Sequence, residues 1–282
     1  MERKKIAIVG VGLIGGSLAL QLNEKGLAAG IVGVEANESH ARKALELGLV
    51  DQILPLEEAI AKSEVIVLAI PVDRMASLLP EVLDQVENQI VMDAGSTKQL
   101  LIDAVKNHPK RGRYVATHPM WGTEYSGPAA AIKQAFENKA CVICNGSESD
   151  EDAVNWVKNT YRKIGMHLLE MDADAHDLHA AYVSHISHIT SFALANTVLE
   201  KEREDQAIFE LASGGFESTV RLAKSNPSMW VPIFRQNREN VLDVLNEHIS
   251  QLRKFKACLE KENYEYLQEL IQNANKISRI LK

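Results

Sequence analysis

The sequence predicts an α/β protein: an N-terminal Rossmann-type doubly wound parallel sheet over residues 1–171, followed by an all-α domain over residues 172–282. Three observations carry this. A glycine turn inside a strand–helix–strand frame opens the chain. Short apolar runs then alternate with helical periodicity as far as residue 171. Beyond it only helical periodicity remains.

The opening frame is Ile6-Ala7-Ile8-Val9, the turn Gly10-Val11-Gly12-Leu13-Ile14-Gly15, a helical pattern through Leu18, Leu22 and Leu27, and a second apolar run, Ile31-Val32-Gly33-Val34, ending on Glu35. Gly10 permits the tight turn, Gly12 lets the backbone approach a pyrophosphate, and Gly15 lets helix and strand pack closely. Leu13 and Ile14 fall in the first helical turn, whose N–H groups and dipole favour phosphate. Glu35, twenty residues past Gly15, is placed to bind both ribose hydroxyls and to repel a 2′-phosphate, so NAD is expected rather than NADP. A glycine-rich helix cap is the alternative for the turn alone; the strand, helix, second strand and acid around it favour the dinucleotide.

Taken in order, the chain continues with an amphipathic helix over 38–47 and another over 56–62. Residues 65–70 are wholly apolar, as in a buried parallel strand, and the following Pro71 is expected to wall the cofactor crevice at a strand's carboxyl end. Helix 74–86, strand 89–93, helix 98–107, strand 113–117, strand 139–144, helix 150–164 and strand 167–171 complete the sheet domain. Helices are then expected over 173–203, 205–213, 216–224, 228–258 and 263–281. In the fourth, Val241, Val244, Leu245, Ile249, Leu252, Phe255 and Leu259 trace one apolar stripe, either wrapped within the chain or shared between two subunits.

With 282 residues, 46% of them hydrophobic, the chain can build two cores. A net charge of −7 and the lack of a basic block speak against nucleic acid. No run approaches the ~20 apolar residues of a membrane span, and a cytoplasmic enzyme without a membrane partner is expected. Cys141 and Cys144 lie in a strand-like run whose alternation sends them to opposite faces, so they read as buried apolar side chains.

His118 follows a strand and precedes Pro119. It is either a structural histidine or, from its place at a strand's carboxyl end, a base that takes a hydroxyl proton as hydride leaves the same carbon. At ~100° per residue of one straight helix, His176 and His179 point one way and His185 and His188 the other, so no metal site is expected. Ser184 and His188 share a face, with Ser191 a turn further on. That stripe is either a wet cleft or a hydrogen-bonded helix seam. Arg221, among apolar neighbours, reads equally as a snorkelling side chain or as a clamp on a substrate carboxylate.

Collinear motifs then become informative. They are Gly-Val-Gly-Leu-Ile-Gly-Gly-Ser-Leu at 10–18, Asp-Ala-Gly-Ser-Thr-Lys at 93–98, Thr-His-Pro-Met-Trp-Gly-Thr-Glu at 117–124, His-Asp at 176–177, Ser-His-Ile-Ser-His at 184–188, Gly-Gly-Phe-Glu-Ser-Thr-Val-Arg at 214–221 and Ala-Lys-Ser-Asn-Pro-Ser-Met-Trp at 223–230. Together they resemble the prephenate/arogenate dehydrogenase family of tyrosine biosynthesis. The resemblance implies that His118 assists deprotonation of the substrate's ring hydroxyl and that Ser96 lies close to it and to the nicotinamide. It further implies that Ser184 and His188 line the substrate site, that Arg221 binds a carboxylate and that Glu124 stands at the entrance.

Departures bear on the substrate. Ser187 stands where the family often has proline, and Glu217-Ser218 replaces its usual Arg-Asp. In the family an aspartate at the position of Ser218 goes with arogenate, whose ammonium it can pair. Its replacement tilts the expectation to prephenate, although Glu217 beside it leaves arogenate open. The implied reaction is NAD-dependent oxidative decarboxylation of prephenate to 4-hydroxyphenylpyruvate and CO2, by a homodimer joined through its C-terminal helices. The chain stops at residue 282, so tyrosine control through a further regulatory domain is not expected. A base of ordinary histidine pKa, near ~6.5, would lose activity as pH falls through that value. The competing readings are a β-hydroxyacid or imine reductase, which would put a lysine or aspartate where Ser184 and His188 stand, and a non-catalytic NAD sensor, which would not need these cleft residues.

Overall fold

The computed structural model describes residues 2–203 and 208–280. Its first half alternates strand and helix: β1 (Lys4–Val9), α1 (Leu13–Glu24), β2 (Ala28–Val34), α2 (Glu38–Glu46), β3 (Gln52–Ile53), α3 (Leu56–Lys62), β4 (Val65–Leu68), α4 (Val72–Gln85), β5 (Ile90–Asp93) and α5 (Gln99–Val105). Then come β6 (Tyr114–Pro119), β7 (Ala140–Cys144), α6 (Glu151–Lys163) and β8 (His167–Met171). The eight strands form one sheet in the order β3-β2-β1-β4-β5-β6-β7-β8. The strand order reverses between β1 and β4, which makes their carboxyl ends the ligand crevice of this fold.

Both faces of the sheet are covered, and alternation along β1 shows how. Ile6 and Ile8 join Leu18 and Leu22 of α1 and Val157 and Tyr161 of α6. Ala7 and Val9 face the other way, onto Ile60, Met75, Leu79 and Leu101. Cys141 and Cys144 divide between the same two faces and stay buried thiols. Burial pushes the Cys144 thiol up to about 12.

The sheet departs from the all-parallel expectation at one seam. β6 and β7 pair antiparallel, whereas β7 and β8 are parallel again. A parallel neighbour needs a crossover, and residues 120–139 contain no α-helix to make one. The helix α6 supplies the crossover between β7 and β8. The two-residue edge strand β3 was not expected either.

The second half is helical: α7 (Ala173–Ala180), α8 (Ile186–Glu202), α9 (Gly214–Val220), α10 (Pro227–Gln236), α11 (Arg238–Glu260) and α12 (Tyr264–Ala274). The single helix expected over 173–203 is interrupted by a π turn, Ala181–His185, where Ala181 packs on Val241 and Val244. A π turn carries more residues per turn than an α-helix, so the face beyond it is rotated from that of a straight helix. As a result His176 and His185 are both buried, at 2% and 1% exposure, while His179 faces solvent. The pairing of faces expected from a straight helix is thereby corrected. The expected helix over 228–258 is divided at Asn237, whose backbone leaves the helical region while its side-chain N–H2 donates to the Asp177 carbonyl at 2.6 Å. Arg221 begins a 3-10 turn, Arg221–Lys224, at the end of α9. The helix expected over 205–213 falls partly outside the described residues; what is described there is one 3-10 turn, Phe209–Leu211.

Candidate active site

At the switch point, Gly10 has φ +92, and a Cβ there would meet the Ala69 carbonyl oxygen at 2.5 Å. A Cβ on Gly15 would lie 2.1 Å from the Gly10 oxygen, so α1 crosses this turn at backbone contact. Gly12 has no heavy atom within 4 Å of its added Cβ and is the open side of the turn. No side chain caps α1, and its first turn, which begins with Leu13 and Ile14, carries no acid. Such an end suits an anion. Glu35, past the end of β2, accepts from the Val11 N–H at 3.2 Å and the Asn37 N–H at 3.0 Å, which aims its carboxylate at the same turn. Pro71 caps α4 at the carboxyl end of β4, and Val72 next to it packs on Trp230 of the helical half. These residues fit a dinucleotide.

The turn from β5 to α5 is built on a buried carboxylate. Asp93 accepts from the Gly95 N–H at 2.8 Å, the Tyr114 hydroxyl at 2.9 Å and the Thr117 N–H at 2.9 Å, and pairs with the buried ammonium of Lys98. Burial first, and then the Asp93 charge, raises the Tyr114 hydroxyl well above its ordinary pKa. The carboxylate thus ties the turn carrying Ser96 to the strand carrying His118.

His118 lies in β6 with 9% of its surface exposed. Its Nδ1 is 2.8 Å from Nε2 of His176, and the rings meet edge to face. The second nitrogen of His176 is 2.8 Å from Oδ1 of Asp177. That carboxylate also accepts from the Lys98 N–H at 2.8 Å and the Gln99 N–H at 2.9 Å, so the helical half caps α5. Burial, then His176, Lys98 and His185, hold the His118 imidazole well below the ordinary histidine pKa. The fall of activity expected near ~6.5 is therefore moved to lower pH.

In the helical half, His188 stacks on Trp230 with ring centroids 3.5 Å apart. Its Nδ1 is 3.0 Å from the Ser184 carbonyl, an acceptor only, so Nδ1 carries the hydrogen. Burial, with the Arg221 charge nearby, keeps it below the ordinary pKa against the pull of that carbonyl. Arg221 donates from Nη1 to Oε2 of Glu124 at 3.1 Å, joining α9 to the loop after β6. Of the polar stripe on α8, Ser191 is the seam member: its hydroxyl donates to the Thr219 carbonyl at 3.1 Å. Among the described residues no three His, Cys, Asp or Glu side chains converge as a metal site would require.

Comparison with known proteins adds to this geometry. Residues 18–170 match the family model described as prephenate dehydrogenase, nucleotide-binding domain, and residues 172–273 match prephenate dehydrogenase, dimerization domain. The chain belongs to the prephenate dehydrogenase family. A prephenate dehydrogenase of Bacillus subtilis is 32% identical over 266 residues, spanning 93% of this chain and 72% of that protein. A cyclohexadienyl dehydrogenase of Zymomonas mobilis is 26% identical over 282 residues, spanning 99% of this chain and 96% of that one. The crystal structure of the prephenate dehydrogenase from Aquifex aeolicus with hydroxyphenyl propionate and NAD+ matches with TM-score 0.89 at 29% identity, over 99% of this chain and 98% of that chain. Membership of the prephenate dehydrogenase family makes the chain an NAD-dependent oxidoreductase, as its motifs implied.

The residues singled out in sequence fall into three groups in this prephenate dehydrogenase fold. Gly10, Gly12, Leu13, Ile14, Gly15, Glu35 and Pro71 lie about the carboxyl ends of β1, β2 and β4. Ser96 and His118 sit at the carboxyl ends of β5 and β6; in the helical half His188 is bonded to the Ser184 carbonyl, and Arg221 is ion-paired with Glu124. Reading in sequence missed the contact of His176 and Asp177 with His118. The His-Asp pair was visible, but only tertiary packing across the two halves brings it to β6. Trp230 is buried, and its ring is the platform for His188.

Proposed function

We propose that the chain oxidises and decarboxylates prephenate with NAD, giving 4-hydroxyphenylpyruvate, CO2 and NADH. One observation carries the reading: a buried, neutral His118 at a strand's carboxyl end, on the same edge of the sheet as the Gly10–Gly15 turn. A neutral imidazole there takes the proton of the ring hydroxyl; NAD, when bound, accepts the hydride from the same carbon. The ring carboxylate leaves as CO2, its bonding electrons complete the aromatic ring, and His118 returns the proton to the phenolate oxygen. The balance closes without another acid, base or metal, and the protein supplies position and electrostatics.

In this reading Gly10, Gly12 and Gly15, with Leu13 and Ile14, cradle the pyrophosphate, and Pro71 walls the crevice. Glu35 has two backbone donors, and a carboxylate's remaining lone pairs serve the ribose hydroxyls. Ser96 orients the base. Ser184 and His188 bind substrate, His188 through the nitrogen left free by its bond to Ser184. Arg221 gives one N–H to Glu124 at the entrance and keeps others for a substrate carboxylate. Residues 1–171 are the dinucleotide domain, and residues 172–282 bind substrate and join a second copy through the C-terminal helices. We place the enzyme in the cytoplasm, where its three buried thiols stay reduced, with no nucleic acid partner.

Prephenate is favoured over arogenate because Ser218 turns its hydroxyl onto the Gly215 carbonyl, and the neighbouring Glu217 lies exposed, 3.9 Å from Lys224. Neither offers a buried carboxylate to an ammonium. The test is NADH formation with prephenate or arogenate, each against NAD and NADP. Turnover with prephenate and NAD is expected. Preference for arogenate would overturn the substrate assignment, and no turnover with any pair would overturn the reaction.

A further inference from the structure

We propose that His176 and Asp177 are positioning residues that set the tautomer of His118, holding its proton on Nδ1 so that Nε2 is the base. The inference rests on His118 being the base of the reaction above, and it concerns which nitrogen does the work. The Asp177 carboxylate receives two backbone N–H groups from the start of α5, so it is an acceptor, and the Nδ1 of His176 at 2.8 Å must donate to it. A neutral His176 then has only a lone pair on Nε2. The His118 nitrogen 2.8 Å away is therefore the donor of that contact, and its proton sits on Nδ1. What remains is Nε2 of His118, unprotonated.

The same relay runs in reverse if the His176 hydrogen sits on Nε2 instead. That nitrogen then donates to His118, the His118 proton moves to Nε2, and no base remains. The orientation of one carboxylate thus decides whether the histidine next to it can accept a proton. When Nε2 of His118 does take the substrate proton, Nδ1–H stays directed at His176, whose own N–H is directed at the Asp177 charge. The groups around His118 are consistent with its neutral state. From the β5–α5 turn come the Lys98 ammonium and its partner Asp93, and from the helical half His185, linked through Asn237 to the Asp177 carbonyl. From β7 the register places the apolar Val142 opposite His118. Lys98 and His185 disfavour extra positive charge on His118, and the Asp177 carboxylate reaches His118 only through His176.

The experiment is a nitrogen-15 spectrum of the histidine side chains of the full-length enzyme, with His118→Asn used to assign the His118 signals. At neutral pH the expected result is a protonated Nδ1 and an unprotonated Nε2 on His118. A protonated Nε2 in the unmodified enzyme would overturn the proposal. Asp177→Leu removes the acceptor of the His176 N–H, so nothing holds that proton on Nδ1, the His118 proton should shift towards Nε2, and kcat should fall on the order of 100-fold or more. KM for both substrates should stay within about 3-fold, as expected when only a transition-state role is lost. An unchanged tautomer with unchanged kcat in Asp177→Leu would also overturn it.

Should that variant fail to fold, His176→Gln and His176→Phe decide. The amide oxygen of glutamine can still accept from Nδ1–H and should retain well over ten times the kcat of the phenylalanine variant. Equal loss in both would contradict the tautomer role. The spectrum needs no substrate. Absence of prephenate turnover in the unmodified enzyme would therefore strike the proposed reaction and leave the tautomer to be decided by the spectrum.

Discussion

The two halves of the molecule are stabilised on different terms. The sheet half buries each face under its own helices; its central strands β4 and β5 are buried throughout, and β1 from Ile6 onward. The helical half is closed only where it touches something. On α11, Val241 and Val244 are 7% and 3% exposed, whereas Leu252 and Leu259 are 55% and 59% exposed. On α12, Ile271 and both tyrosines, Tyr264 and Tyr266, also face outward. A buried apolar side chain contributes about 1.5–3 kcal/mol to stability, and this stretch of helix forgoes that within the chain. The difference teaches that the sheet half carries its own stability. The helical half borrows from the seam with the sheet and, in our reading, from a second subunit.

The largest effect is expected inside the sheet half. Removing one partner of a buried ion pair leaves an uncompensated charge, at a cost of about 3–5 kcal/mol. Lys98→Met leaves Asp93 wholly buried with neutral donors only, so the urea midpoint should fall by an amount corresponding to that cost. Asp93→Asn added to Lys98→Met should recover part of it, because the stranded charge is gone. A loss below about 1 kcal/mol in the single variant, well short of the expected range, would show that the sheet half does not depend on this pair.

The seam between the halves is sharpened by pH. His185 is packed against Trp230 and Phe234 and bonded to Asn237. Burial lowers its pKa from the ordinary 6.5 to about 4, with Asp177 opposing and His176 and His188 assisting. The folded state therefore binds fewer protons than the unfolded chain between these values. Stability is complete above pH 6.5, is lost as pH falls towards 4, and changes no further from this group below it. The loss attributable to His185 is roughly 3 kcal/mol. His185→Leu should flatten that part of the stability–pH curve, measured by urea unfolding at a series of pH values. An unflattened curve would assign the acid sensitivity elsewhere, His118 and His188 being the groups shifted in the same direction.

The contrast between halves also explains what could be read in advance. The cofactor turn is local: strand, glycines, helix and Glu35 lie within thirty-odd consecutive residues, and period and spacing specify them. The order of the elements and the position of His118 at a strand's end followed from the same patterns. What was not legible depends on contacts made across the molecule. The π turn at Ala181–His185 contains no glycine or proline to announce it, and it reassigns His176 and His185 to one buried side. The break at Asn237 is drawn by a hydrogen bond to Asp177, sixty residues earlier in the chain. The antiparallel pairing of β7 comes from a connection that lacks a helix, and the strand's own residues read alike in either direction. Arg221 reads equally as a surface side chain or a clamp, and its ion pair with Glu124, ninety-seven residues earlier in the chain, could not be read from the sequence.

The smallest expected effect tests the borrowed part of the helical half directly. Leu252 and Leu259 lie two helical turns apart on α11, on the stripe that begins with the buried Val241 and Val244. If a second copy covers this stretch, a charge at either position must be desolvated or must prise the interface open. Truncation of a central interface residue costs about 2 kcal/mol, roughly 30-fold in dimer dissociation. Leu252→Glu should weaken self-association by about that factor, and Leu252→Glu with Leu259→Glu by more, read by sedimentation over a micromolar dilution series. The urea transition of the sheet half should stay within about 0.5 kcal/mol, as for surface substitutions elsewhere. A monomer already present in the unmodified chain at micromolar concentration would end the dimer reading. A dimer unaffected by either charge would place its interface on another face, and the exposed stripe of α11 would then have to be stabilised within the chain after all.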